Sequence, residues 1–168
     1  MKHEHKPHPF RAAVLTVSDK GFRGEREDRS GQVLAEMIEA MGGTVIERRI
    51  VPDEREQITA ALKKLARVAD LVLSTGGTGI GSRDVTPEAT RSVIEKELPG
   101  IAELMRMKSA EVAPTAILSR GLAGVAGCAL IVNLPGSPKA VRECFSFIQQ
   151  ALPHALDLLG GAGECGQD

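Results

Sequence analysis

Asp70-Leu71-Val72-Leu73-Ser74-Thr75-Gly76-Gly77-Thr78-Gly79-Ile80-Gly81 is the stretch on which the fold turns. Its first half is a short β-type run, apolar on both faces around Leu71-Val72-Leu73, and it passes directly into a loop with four glycines. Thr86-Pro87 then reads as a helix start, with a capping hydroxyl and proline at the first helical position. A strand that is apolar on both faces needs helices on both sides of its sheet, as in parallel α/β domains.

The same unit recurs in both directions. Upstream, Ala12 to Val17 is an apolar run ending at Ser18-Asp19, followed by a polar loop from Lys20 to Arg29. Ser30 is placed to cap a helix with Val33, Leu34, Met37, Ile38 and Met41 on one face, stopped by Gly42-Gly43. Thr44 to Val51 reads as a strand ending at Pro52-Asp53, and Ile58, Ala61, Leu62, Leu65 and Val68 mark the next helix. Downstream, helical periodicity runs from Thr86 to about Val112, with a break at Pro99-Gly100. Thr115 to Gly127 fits either a small hairpin or an irregular arm. Ala129 to Leu134 is another core strand, and Pro135-Gly136-Ser137-Pro138 leads into a last helix burying Val141, Cys144, Phe145, Ile148, Ala151 and Leu152. The expected architecture is a single α/β domain over 11–160: three layers around a doubly wound, mostly parallel sheet. Residues 1–10 and 161–168 are expected to be flexible tails.

A chain of 168 residues supports one core and not two comfortable ones. With 42% apolar residues and a net charge of −1, no global field draws it to nucleic acid or membrane. It has no Trp or Tyr and only four Phe, so the stacking faces of a general single-strand nucleic-acid binder are missing. The polar Met1 to Pro9 stretch lacks the apolar region of a secretory signal, and no apolar run approaches membrane-spanning length. Cys128 and Cys144 lie in apolar stretches and are expected to be buried free thiols, which fits a reducing, cytoplasmic setting.

Ligands of open α/β sheets bind beyond the carboxyl ends of the strands. Four polar segments fall there: Ser18-Asp19, Pro52-Asp53, Ser74 to Asp84, and Asn133 to Lys139. The glycine loop can present backbone N–H groups to phosphate oxygens. It is not a Walker A loop, because Ser82-Arg83 stands where Lys-Ser/Thr is required. A carboxylate beside bound phosphates needs a cation, so Asp84 is either neutralised by Arg83, a ligand for Mg²⁺, or a plain cap of the helix near Thr86. Asp53 poses the same question. Ser137 is a candidate cap whose helix end, with Lys139 nearby, can face an anion. His154 is the only histidine beyond the first eight residues, so no Ser-His or Cys-His system is available.

Ser74-Thr75-Gly76-Gly77-Thr78-Gly79, Arg83-Asp84-Val85-Thr86-Pro87-Glu88-Ala89, Pro114-Thr115-Ala116-Ile117-Leu118-Ser119-Arg120 and Asn133-Leu134-Pro135-Gly136-Ser137-Pro138-Lys139 occur in this order. Together with Ser18-Asp19 and Pro52-Asp53-Glu54 they make the chain resemble the MogA/MoaB molybdopterin adenylyltransferase family. The resemblance implies the molybdopterin-binding fold and Mg²⁺-dependent transfer of AMP from ATP to the terminal phosphate of molybdopterin. It also implies a homotrimer, with transient contact to a molybdate-insertion protein. By the same resemblance Asp84 and Asp53 are the functional carboxylates. Substrate contacts fall to Ser18, Asp19, Thr75, Gly76, Gly77, Thr78, Gly79, Pro135, Gly136, Ser137 and Lys139. A phosphate monoester is already largely dianionic near neutral pH, so the two aspartates are expected to be metal ligands and not proton acceptors. Other family roles are a molybdopterin-binding protein with little transfer activity and a non-catalytic scaffold module.

Overall fold

The computed structural model describes residues 9–160. Its strands are Arg11–Val17 (β1), Thr44–Val51 (β2), Leu71–Thr75 (β3), Lys96–Glu97 (β4), Ala123–Ala126 (β5) and Ala129–Leu134 (β6). They form one sheet in the order β2-β1-β3-β6-β5-β4. The four strands from β2 to β6 are mutually parallel, and β5 and β4 add an antiparallel edge. The helices are Asp19–Phe22 (α1), Arg29–Ala40 (α2), Arg55–Ala66 (α3), Thr86–Arg91 (α4), Pro99–Ala110 (α5), Pro138–Ile148 (α6) and Leu152–Gly160 (α7), with a 3-10 turn at Pro114–Leu118.

The two-residue side-chain period of a strand sorts the central sheet into two cores. Ala12, Val14, Leu71, Leu73, Leu130 and Val132 face Leu34 and Ile38 of α2, Met105 of α5, and Val141, Phe145 and Ile148 of α6. Ala13, Leu15, Val17, Val72 and Ile131 face Ile58, Leu62 and Leu65 of α3 and Ala89 of α4. This is the three-layer, mostly parallel arrangement that the apolar strands require. The chain leaves β1 for β2 on one side and returns to β3 on the other. The crevice of this doubly wound sheet therefore opens beyond the carboxyl ends of β1 and β3.

Several local expectations are corrected. The loop after β1 contains the single turn α1. Asp28, not Ser30, caps α2: its carboxylate accepts from Gly31 N at 2.9 Å, while the Thr16 hydroxyl and Arg48 also donate to it. Those tertiary partners fix Asp28 and leave Ser30 inside the helix, buried. Val68 lies past the end of α3 and is exposed, and Ala69 is buried instead. Thr86 does not cap α4 through its hydroxyl, which bonds back to Gly76 O. The helix from Thr86 stops at Arg91, because Glu95 N and Leu98 N bond to Val125 O and Ala123 O and cover the edge of β5 with β4. Thr115 to Gly127 forms no hairpin of its own: it carries the 3-10 turn and then β5, which pairs with β6 beyond that stretch. The last helix is split at Gln149-Gln150-Ala151, which exposes Ala151. Phe10, assigned above to the tail, is buried in the first core. Cys144 is a buried free thiol, and Cys128 is half-buried beside the β5–β6 turn. His3, His5, His8 and Cys165 lie outside the described residues.

Candidate functional site

The strand order brings the four predicted segments to one rim. The glycine loop leaves β3 at the switch point, against the end of β1. There Gly76 has φ +99° and an added Cβ would lie 2.3 Å from Val17 O. Only a residue without a side chain passes that carbonyl in a left-handed conformation. The next residue, Gly77, has φ +67°. Gly76 N is tied to Leu134 O at 3.1 Å and the Thr75 hydroxyl to Pro135 O at 2.7 Å, so the segments after β3 and β6 are joined. A Cβ on Gly136 would lie 3.4 Å from Gly76 Cα. Among the described residues, the amides of Gly77, Thr78 and Gly79 have no acceptor.

Two carboxylates face this loop. Asp84 accepts from Gly81 N at 2.8 Å, and its Oδ2 lies 2.8 Å from a Cβ built on Gly79. It closes the loop on itself and does not cap α4, whose N-cap is Val85. Asp53 Oδ1 lies 3.3 Å from a Cβ built on Gly77. Its other oxygen accepts from Asp19 N at 2.8 Å, while Asp53 N donates to Asp19 Oδ1 at 3.0 Å. The β1–α1 and β2–α3 turns are thereby clasped together.

Arg83 does not neutralise Asp84. It forks onto Asp19 at 3.0 and 3.1 Å and reaches Glu54 at 2.9 Å. That guanidinium holds the Asp19 carboxyl below the usual carboxylate range, helped by the Asp53 amide. Asp53 moves the other way: partial burial pushes its carboxyl up, and the neighbouring charges of Asp19 and Asp84 add to this. Arg83 opposes that rise. In the substitution Arg83→Met, carboxyl-carbon NMR titration should show both midpoints moving upward. An unmoved Asp19 midpoint would mean that Arg83 is not its partner in solution. The lowered Asp19 pKa contributes stability above the ordinary carboxylate range, lost as pH falls through the lowered value. Exposure of the pair keeps that contribution small.

Buried polar side chains support the loop from behind. Asn133 Nδ2 donates to Ser74 Oγ and Thr90 Oγ1, both at 2.9 Å, and its Oδ1 accepts from Leu122 N at 3.2 Å. Thr90 donates to Thr86 O at 2.8 Å, and Thr86 donates to Gly76 O at 2.9 Å. A continuous chain of bonds thus runs from Leu122, just before β5, to the first loop glycine. Asn133→Ala should destabilise the protein by about 1–3 kcal/mol, because it orphans a buried amide. Urea unfolding would show this as a lower midpoint with an unchanged slope, and an unchanged midpoint would remove the network from the account.

Of the remaining predicted residues, Ser18 and Ser137 spend their hydroxyls as local caps, accepting from Gly21 N at 3.0 Å and Ala140 N at 3.2 Å. The Lys139 side chain is exposed and lies 4.0 Å from Glu143. His154 is exposed on α7. No cluster of three or more metal-ligating side chains occurs among the described residues. Sequence reading gave no role of their own to Arg120, Asn133 or Glu54, and gave Thr86 only a capping one. Arg120 stood in a quoted motif, yet nothing in its local spacing signals where its side chain goes.

The model of the family described as "probable molybdopterin binding domain" matches residues 13–154. A "molybdopterin adenylyltransferase" of Helicobacter pylori strain J99 is 45% identical over 152 residues, covering 88% of this chain and 86% of that protein. The "molybdenum cofactor synthesis protein cinnamon" of Drosophila melanogaster is 47% identical over 150 residues, 88% of this chain; the chain spans only 25% of that longer protein. The solved structure of the molybdopterin biosynthesis enzyme MoaB from Thermus thermophilus is 49% identical. It superposes with a TM-score of 0.85, over 90% of this chain and 97% of that one. With the glycine loop, the paired carboxylates and the doubly wound sheet accounted for along its whole matched length, the chain belongs to the family of probable molybdopterin binding domains.

Proposed function

We propose that this chain works in molybdenum cofactor biosynthesis, transferring AMP from ATP to the terminal phosphate of molybdopterin and releasing pyrophosphate. The observation that carries the reading is the row of unengaged amides at Gly77 to Gly79, set at the switch point with Asp53 and Asp84 facing them. Relatives that bear the name molybdopterin adenylyltransferase over most of their length support it.

The chemistry needs charge management more than proton transfer. A phosphate monoester has a second pKa of about 6, so its oxygen is ready to attack near neutral pH. That oxygen forms the new bond to the α-phosphorus, and the bond from the α-phosphorus to the oxygen bridging to the β-phosphorus breaks. The electron pair leaves with pyrophosphate. The loop amides bind phosphate oxygens and hold the two reactants together, and the dipoles aimed at the site stabilise charge as it shifts.

A divalent cation fits the carboxylates. Asp53 and Asp84 each keep one oxygen on a backbone amide, and neither makes a further hydrogen bond among the described residues through the other. Burial first, and then the charges of Asp19 and Asp84, push the Asp53 carboxyl up, and a cation there would offset that push. Mg²⁺ is commonly held by one or two carboxylates plus substrate phosphates, and when bound it would supply charge neutralisation between phosphates. Asp53 and Asp84 would hold it; Asp19, already taken by Arg83, would not.

Incubation with molybdopterin, ATP and Mg²⁺ tests the reading. Adenylylated pterin and pyrophosphate should appear in equal amounts. Tight pterin binding with no pyrophosphate release would instead identify a binding protein. We extend the proposal to a cytoplasmic homotrimer that hands its product to a molybdate-insertion protein. Exposed Met107, Val112, Ile117 and Leu118, on α5 and the turn that follows it, offer apolar surface for assembly.

A further inference from the structure

Arg120 follows the 3-10 turn at Pro114–Leu118, far along the chain from the glycine loop, yet it holds that loop at three points. Its backbone N donates to Thr78 O at 2.8 Å, its Nε to Gly79 O at 2.7 Å, and its Nη2 to Asp84 O at 2.7 Å. Its guanidinium is also paired with Glu88 on α4. All of its loop contacts are to carbonyls. In a trans peptide the C=O and the following N–H point in opposite directions across one plane. Drawing the carbonyls of Thr78 and Gly79 toward Arg120 therefore turns the N–H groups of Gly79 and Ile80 away from it.

We propose that Arg120 is a positioning residue that presents the Gly79 and Ile80 amides to a phosphate-bearing ligand without touching the ligand itself. The inference rests on the phosphate-binding reading of this loop. Lysine cannot replace it. A single ammonium cannot reach Gly79 O, Asp84 O and Glu88 with the fixed fork of a guanidinium. Glu88 sets the fork's angle, and Arg120 in turn holds the Glu88 carboxyl below its ordinary pKa.

The experiment uses the full chain, inorganic pyrophosphate as probe, and amide NMR as readout. In the wild type the Gly79 and Ile80 resonances should move on titration. In Arg120→Lys and Arg120→Ala the Ile80 movement should be lost, while Gly79 keeps its orientation through the backbone N of residue 120, and affinity should fall by about tenfold to a hundredfold, the worth of one charge-assisted hydrogen bond. Glu88→Gln should weaken binding by less, and it keeps the test alive if Arg120→Ala does not fold. Wild-type affinity in Arg120→Lys, or probe binding that moves neither amide, would overturn the proposal. Adenylyl transfer is measured in parallel. Probe binding that depends on Arg120 in a protein with no transfer activity would uphold this inference and reject the transfer reading. Transfer with an unchanged KM for ATP in Arg120→Lys would do the opposite.

Discussion

Asp84→Asn is expected to reduce AMP transfer by about a hundredfold to a thousandfold, the usual loss when one preorganised electrostatic contribution is removed. Fold and pterin affinity should be retained. Asparagine has the same shape, and its carbonyl can still accept from Gly81 N, the bond that Asp84 makes at 2.8 Å. The substitution therefore keeps the loop and removes only the charge. Separate measurement of pterin binding and of pyrophosphate release distinguishes the two effects. Binding that falls as steeply as transfer would mean that Asp84 works by shaping the loop. Full activity would show that the carboxylate has no part in the chemistry, and Asp53 would then have to carry any cation alone.

Gly76→Ala should have the largest effect on stability, about 2–5 kcal/mol. Left-handed backbone costs a non-glycine residue about 1–2 kcal/mol, and forced overpacking adds about 1–3 kcal/mol. Both apply at Gly76, where φ is +99° and the added Cβ would lie 2.3 Å from a backbone oxygen that cannot swing aside. Gly127→Ala is the matched control. Gly127 also has positive φ, at +58°, but its Cβ would meet nothing within 4 Å. That variant should show the backbone cost alone. Urea unfolding of both measures the difference. Equal losses would mean that the passage beside Val17 tolerates a methyl group and that the crevice at the switch point is looser than the distances imply.

These predictions draw on unequal shares of sequence and structure. The glycine loop, both aspartates and the rim were legible because each is a local signal: a run of residue types beside a strand end. Partner choice was not legible. Arg83 had Asp84 as its chain neighbour, yet it pairs with Asp19, 64 residues away. Ser30 had the better local helix-start pattern, yet Asp28 holds the cap because Thr16 and Arg48 converge on it. Arg120 carried no local signal, yet it holds the loop from behind.

By itself the sequence determined the alternating strands and helices, the two-sided burial of the central strands, and the rim on which polar and glycine-rich turns collect. Those follow from backbone periods of two and 3.6 residues and from the φ values that glycine alone tolerates, all set within a few bonds of each residue. Only the tertiary structure decided which charges meet, because that depends on strand order. Placing β1 between β2 and β3 laid three distant turns side by side, and the Asp19–Asp53 clasp and the reach of Arg83 exist only as a result.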